Sequence, residues 1–100
     1  MKLFLDDERT APPGPEWVTV RNASDAIFLL GNIYFEEVSL DHDLGNDGVG
    51  TGYDVICALE ILAQQEPFFV PPIIKIHTAN PSARVKMELA LQSINRIIGR

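Results

Sequence analysis

Lys2-Leu3-Phe4-Leu5-Asp6-Asp7 and Val38-Ser39-Leu40-Asp41-His42-Asp43 share one plan: a short apolar run that ends in carboxylates. Each run has the length of a single buried strand and is too short for a buried helix. Two such strands lying parallel deliver their acids to the same edge of a sheet. Carboxylates gathered there repel each other unless a proton or a cation lies between them. The two runs therefore predict two buried strands of one sheet, with an oxygen-ligated divalent ion at its rim.

Further strands and helices follow from the flanking residues. Trp17-Val18-Thr19-Val20-Arg21 alternates and is β-branched, which predicts a second strand, and Ile73-Ile74-Lys75-Ile76-His77 predicts a fourth. Between the first two strands, Pro12, Pro13, Gly14 and Pro15 make Glu8 to Glu16 a loop. Asn22 or Ser24 caps a helix running to about Leu30, where Gly31-Asn32 stops it, and Phe35 to Leu40 is the third strand. A loop with four glycines spans Gly45 to Gly52. Thr51-Gly52-Tyr53-Asp54 then has the form of a capping box, with Asp in place of Glu. The helix behind it carries Val55, Ile56, Leu59 and Leu62 on one stripe, with Cys57 expected in the core. Asn80-Pro81 opens a last helix that runs to about Ile98 and ends at Gly99. Val85, Leu89, Ile94 and Ile97 or Ile98 are expected to face inward from it. The order β, β, α, β, α, β, α predicts a parallel sheet covered on both faces.

At 100 residues and 46% hydrophobic composition, residues 1–100 form one domain able to bury a modest core. No apolar run is long enough to span a membrane, no signal peptide can be read, and one cysteine excludes an internal disulfide. The expectation is a cytoplasmic protein. A net charge of −6 argues against an extended nucleic-acid surface. The charge is uneven: five of the 8 bases, Lys75, Arg84, Lys86, Arg96 and Arg100, follow Pro67, with Glu88 the single acid among them. An acidic half beside a basic segment suits a phosphate-bearing ligand, while Arg96 and Arg100 read as a solvated helix face.

In an open parallel sheet, ligands bind beyond the carboxyl ends of the strands. Asp6-Asp7, Asp41-His42-Asp43 and His77-Thr78 all fall at such ends. Asp6, Asp7 and Asp41, with Asp43 assisting, are the candidate ligands for Mg²⁺ or Mn²⁺. His42 and His77 are candidates for general acid and base. Asp41 offers a covalent alternative, since carboxylates accept phosphoryl groups. Thr78, Asn80 and Arg84 sit at a helix N-terminus, where free N–H groups favour an anion. Arg9 is a cation for either a phosphate or Asp7. A calcium loop starting at Asp41 fails, because Gly52 stands where the bidentate Glu is required. A His-Asp phosphohydrolase needs more histidines than His77 supplies.

Leu5-Asp6-Asp7, Asp41 and Thr78 resemble the receiver domain of bacterial response regulators. That resemblance implies Mg²⁺ on the acids, a phosphoryl group on Asp41 and a contact to it from Thr78. A receiver, however, has a helix between strands 1 and 2 and a fifth strand carrying a Lys; the proline loop replaces the first, and the chain stops short of the second. A fuller string is similar to the cyclic-phosphate-processing receiver-like family. It comprises Leu5-Asp6-Asp7-Glu8-Arg9, Pro13-Gly14-Pro15-Glu16-Trp17, Ser39-Leu40-Asp41-His42-Asp43-Leu44-Gly45, Thr51-Gly52-Tyr53-Asp54 and His77-Thr78-Ala79-Asn80-Pro81. It implies a truncated receiver-like (flavodoxin-like) three-layer α/β sandwich with strand order 2-1-3-4 and about three helices. It also implies a metal-dependent phosphoesterase acting on the cyclic phosphate of a small molecule, nucleotide or RNA end. The alternatives are a phosphoacceptor domain in signalling and a non-catalytic binding module whose acids are structural.

Overall fold

The structure, a computed structural model, describes residues 1–44 and 50–99. Most of the expected glycine loop (residues 45–49) and Arg100 lie outside the described residues. The elements are β1 (Lys2–Leu5), β2 (Trp17–Val20), α1 (Ala23–Asn32), β3 (Glu37–Leu40), α2 (Gly52–Gln65), β4 (Ile73–Ile76) and α3 (Pro81–Ile97). The strands form one parallel sheet in the order β2-β1-β3-β4. Strand order, pairing and helix number are those expected.

Each helix begins where a polar side chain satisfies its free N–H groups. Asn22 accepts from the Asp25 amide at 2.8 Å, and Asn80 accepts from the Ala83 amide at 3.1 Å. At α2, the Asp54 carboxylate reaches back to the Thr51 amide at 2.7 Å and completes the capping box. Helix α1 passes through Gly31 rather than stopping there. The Ile33 amide donates to the Leu29 carbonyl at 2.8 Å, and Asn32 Nδ2 donates to the Phe28 carbonyl at 2.7 Å, so the last turn stays bonded.

The strands alternate, and one set of side chains builds the core. Leu3, Leu5, Val38 and Leu40 are completely buried against Ala26, Leu30, Val55, Ile56, Leu59, Met87 and Ile94 of the three helices. Fully burying side chains of this size is worth about 1.5–3 kcal/mol each. On α3 the inward stripe is Ala83, Met87, Ala90 and Ile94, while Val85 and Leu89 face outward at 58% and 59% exposure. Helix α3 packs closely on α2, and two of the four residues of its buried stripe are small. Cys57 is half-buried beside Tyr53, and the hydrogen bond between them pushes the phenol's pKa up.

The layering differs from expectation in one respect. All three helices pack on the same face of the sheet, and among the described residues no helix covers the other. The cause is crossover handedness. Moving from β2 to β3 and from β3 to β4 steps across the sheet in one direction, so right-handed connections place α1 and α2 on one face. The step from β1 to β2 runs the opposite way and belongs on the second face, but the proline loop provides no helix there. That face is a carpet of mixed side chains. Phe4 lies edge-on to Trp17 with ring centres 6.0 Å apart, and Lys75 pairs with Glu37 at 3.3 Å.

Candidate metal and phosphate site

The backbone ladders run one residue past the strands. Asp6 N–H donates to the Val20 carbonyl at 3.2 Å, Asp41 N–H to Leu5 at 3.0 Å and His77 N–H to Leu40 at 2.9 Å. Asp6, Asp41 and His77 are thereby held level along the carboxyl edge. Asp6 is 1% exposed, a burial a carboxylate tolerates only with partners. Its Oδ1 accepts from the Arg9 amide at 2.7 Å and the Glu8 amide at 2.9 Å, and its Oδ2 lies 3.0 Å from His77 Nε2. Burial alone presses the Asp6 pKa upward. The Arg9 and Glu8 amides, with His77, outweigh it and hold the carboxyl below the usual carboxylate value.

One carboxylate oxygen from each of Asp6, Asp7 and Asp41 lies within 4.8 Å of the other two. Asp41 is buried and its Oδ1 accepts from the His42 amide at 2.8 Å. Asp43 is absent from this trio. Its carboxylate turns to His42 Nδ1 at 2.8 Å, although the residue still lines the same hollow. That hollow, about 290 Å³, is lined by Asp7, Glu8, Arg9, Asp41, Asp43 and Ala79. Gly52 forms its support from below: a Cβ there would collide with the Asp41 carbonyl oxygen, and the Gly52 amide donates to the His42 carbonyl at 3.2 Å. A second hollow, about 300 Å³, opens at the opposite edge among Leu30, Phe35, Leu59 and Phe69, and brings no carboxylate or imidazole to its walls.

His77 is fixed on three sides. Its ring stacks on Phe4 with centres 4.7 Å apart and planes 1° from parallel. Nε2 faces Asp6, and Nδ1 lies 2.7 Å from Ser39 Oγ. His42, by contrast, has one ring nitrogen engaged among the described residues, by Asp43.

The β4–α3 junction carries the expected phosphate-binding residues in mixed circumstances. Thr78 is buried and its hydroxyl accepts from the Asn80 amide at 3.2 Å. The Asn80 side-chain oxygen is spent on the helix cap. Arg84 donates to the Thr78 carbonyl at 3.2 Å and lies 3.8 Å from Glu88. Arg9 pairs with Asp6 at 3.8 Å rather than with Asp7, and donates to the His77 carbonyl at 2.7 Å.

Three members of this arrangement, Ser39, Arg21 and Gly52, carry no site signal in the sequence. Ser39 lies within the apolar run of the third strand, and only the register that sets β3 beside β4 gives it His77. Arg21 closes the alternating run of the second strand, and its guanidinium donates to the Asp6 and Arg9 carbonyls at 3.1 and 2.9 Å and ties the β1 loop to that strand. The close approach of Gly52 to Asp41 had no signal beyond the glycine itself.

Searches of curated proteins and of solved structures returned no match. The family model described as the Cyclic-phosphate processing Receiver domain matches residues 1–93.

Proposed function

Starting from the premise that this chain belongs to the Cyclic-phosphate processing Receiver domain family, we propose that it is a metal-dependent phosphoesterase for cyclic phosphate on a nucleotide or RNA end. The observation that carries this reading is the trio Asp6, Asp7 and Asp41, of which Asp7 and Asp41 line an open hollow together with Arg9. An all-oxygen, anionic donor set fits a hard divalent ion such as Mg²⁺ or Mn²⁺. Bound there, such an ion would polarise a phosphoryl oxygen and lower the pKa of a coordinated water.

The chain's own groups supply the remainder. The β1 loop amides and Arg21 hold Asp6 and its backbone in place. Asp43 holds the His42 ring through Nδ1, which leaves Nε2 as the position at which a proton is taken or given. Arg9 lines the hollow and offers a guanidinium to phosphate oxygens. Thr78 and Arg84 support the junction from behind.

Hydrolysis of a panel of 2′,3′-cyclic nucleotides with Mn²⁺ or Mg²⁺ is the test. The expected result is turnover that falls about 10²-fold in His42→Ala, the usual contribution of a positioned acid or base. Absence of turnover by the wild type, or equal rates in the two proteins, would sink the proposal. Asp41, level with Asp6 at the strand end, also supports a second reading as a phosphoacceptor. A stable mass gain on treatment with acetyl phosphate, lost in Asp41→Asn, would favour signalling instead.

A further inference from the structure

We infer that Ser39 and His77 are positioning residues for Asp6: Ser39 sets the tautomer of His77, and His77 in turn fixes the carboxylate that faces the cation. This rests on the reading above that Asp6, Asp7 and Asp41 hold a divalent ion. It assigns a role to Ser39 and moves His77 away from proton transfer.

The chemistry of the donors decides it. An ionised carboxylate only accepts hydrogen bonds, so the 3.0 Å contact to Asp6 Oδ2 requires a proton on His77 Nε2. In the neutral ring Nδ1 is then an acceptor, and the Ser39 hydroxyl, 2.7 Å away, donates to it. With Ser39 present, the alternative tautomer would set a bare ring nitrogen against a buried carboxylate, two acceptors face to face. The stack on Phe4, which is 6% exposed, fixes the plane of the ring, and a half-turn within that plane would set ring carbons against both Asp6 and Ser39. Both nitrogens are thus engaged within the fold, and the ring has no position from which to exchange a proton with a ligand in the hollow.

The consequence falls on Asp6. Its Oδ1 is held by two loop amides and its Oδ2 by the imidazole, so the carboxyl group has a single orientation before any ion arrives. Groups behind a metal ligand that fix its direction commonly change metal affinity 10–100-fold when removed. Ser39, Phe4 and His77 stand in three neighbouring strands or their extensions, so the sheet itself sets this geometry.

The experiment has two arms. In the first, long-range ¹H–¹⁵N correlation on the metal-free protein reads the His77 tautomer directly. The expected result is Nε2–H in the wild type, with that preference weakened in Ser39→Ala and restored in Ser39→Thr. In the second, Mn²⁺ titration followed by electron paramagnetic resonance compares wild type, Ser39→Ala, His77→Gln and His77→Leu, each first checked for a native amide spectrum. His77→Leu is expected to lose about tenfold or more in Mn²⁺ affinity, while His77→Gln, whose amide can still donate to Asp6, retains most of it. A wild-type Nδ1–H tautomer, or Mn²⁺ affinity in His77→Leu equal to wild type, overturns the inference alone. Failure of the wild type to bind Mn²⁺ overturns the metal reading and this inference with it. Ser39→Ala, which removes one oxygen, remains informative if His77→Leu does not fold.

Discussion

At Asp6, burial and hydrogen bonding pull in opposite directions, and the hydrogen bonds win. The folded pKa lies below the unfolded one. The group therefore contributes stability that is fully present above its unfolded pKa, near 4, and that is lost as pH falls through the lower folded value. The expected outcome is a urea midpoint that separates wild type from Asp6→Asn at pH 6 and converges as the pH drops below about 4. Gly52 makes a different demand. Any side chain there meets the Asp41 carbonyl, so Gly52→Ala should cost about 1–3 kcal/mol in a denaturant melt through forced backbone movement. The acids were legible because charge at the end of an apolar run is unusual. Ser39 and Arg21 were not, because their meaning lies in partners 38 and 15 residues away in the chain.

Among the elements, α3 shows where pattern reading holds and where it slips. Its start was legible from Asn80-Pro81, since a cap and a first-turn proline act locally, and Asn80→Ala should cost about 1 kcal/mol of stability. Its inward face was not. Val85 and Leu89 are larger and more apolar than Ala83 and Ala90, yet the close packing of α3 on α2 selects the small residues. Met87→Ala is accordingly expected to destabilise by about 2–5 kcal/mol, while Leu89→Ala stays within about 0.5 kcal/mol, as thermal or chemical unfolding of the pair would show. The strands were legible for a simpler reason: in a parallel sheet covered by helices the inner residues are uniformly apolar, as in Leu3, Leu5, Val38 and Leu40.

For the molecule as a whole, the strand order was implied by the family resemblance, and the acids converge because that order makes strands 1, 3 and 4 neighbours, but the bare second face could not be read from an element count alone. It follows from which connection lacks a helix together with the handedness of crossovers. The cation proposal has a consequence at this scale as well. An ion that binds only the folded state at a concentration 100 times its Kd adds about 2.7 kcal/mol, so Mn²⁺ or Mg²⁺ should raise the melting temperature of wild type and leave Asp6→Asn unchanged. The order β2-β1-β3-β4 has one more effect, seen in the exchange of amide hydrogens with deuterated solvent. With β1 paired on both sides, only the β3–β4 ladder survives its detachment, so Leu3 and Leu5 can exchange only when the sheet comes apart. The slowest amides are then expected near the very start of the chain, where proteins ordinarily fray first.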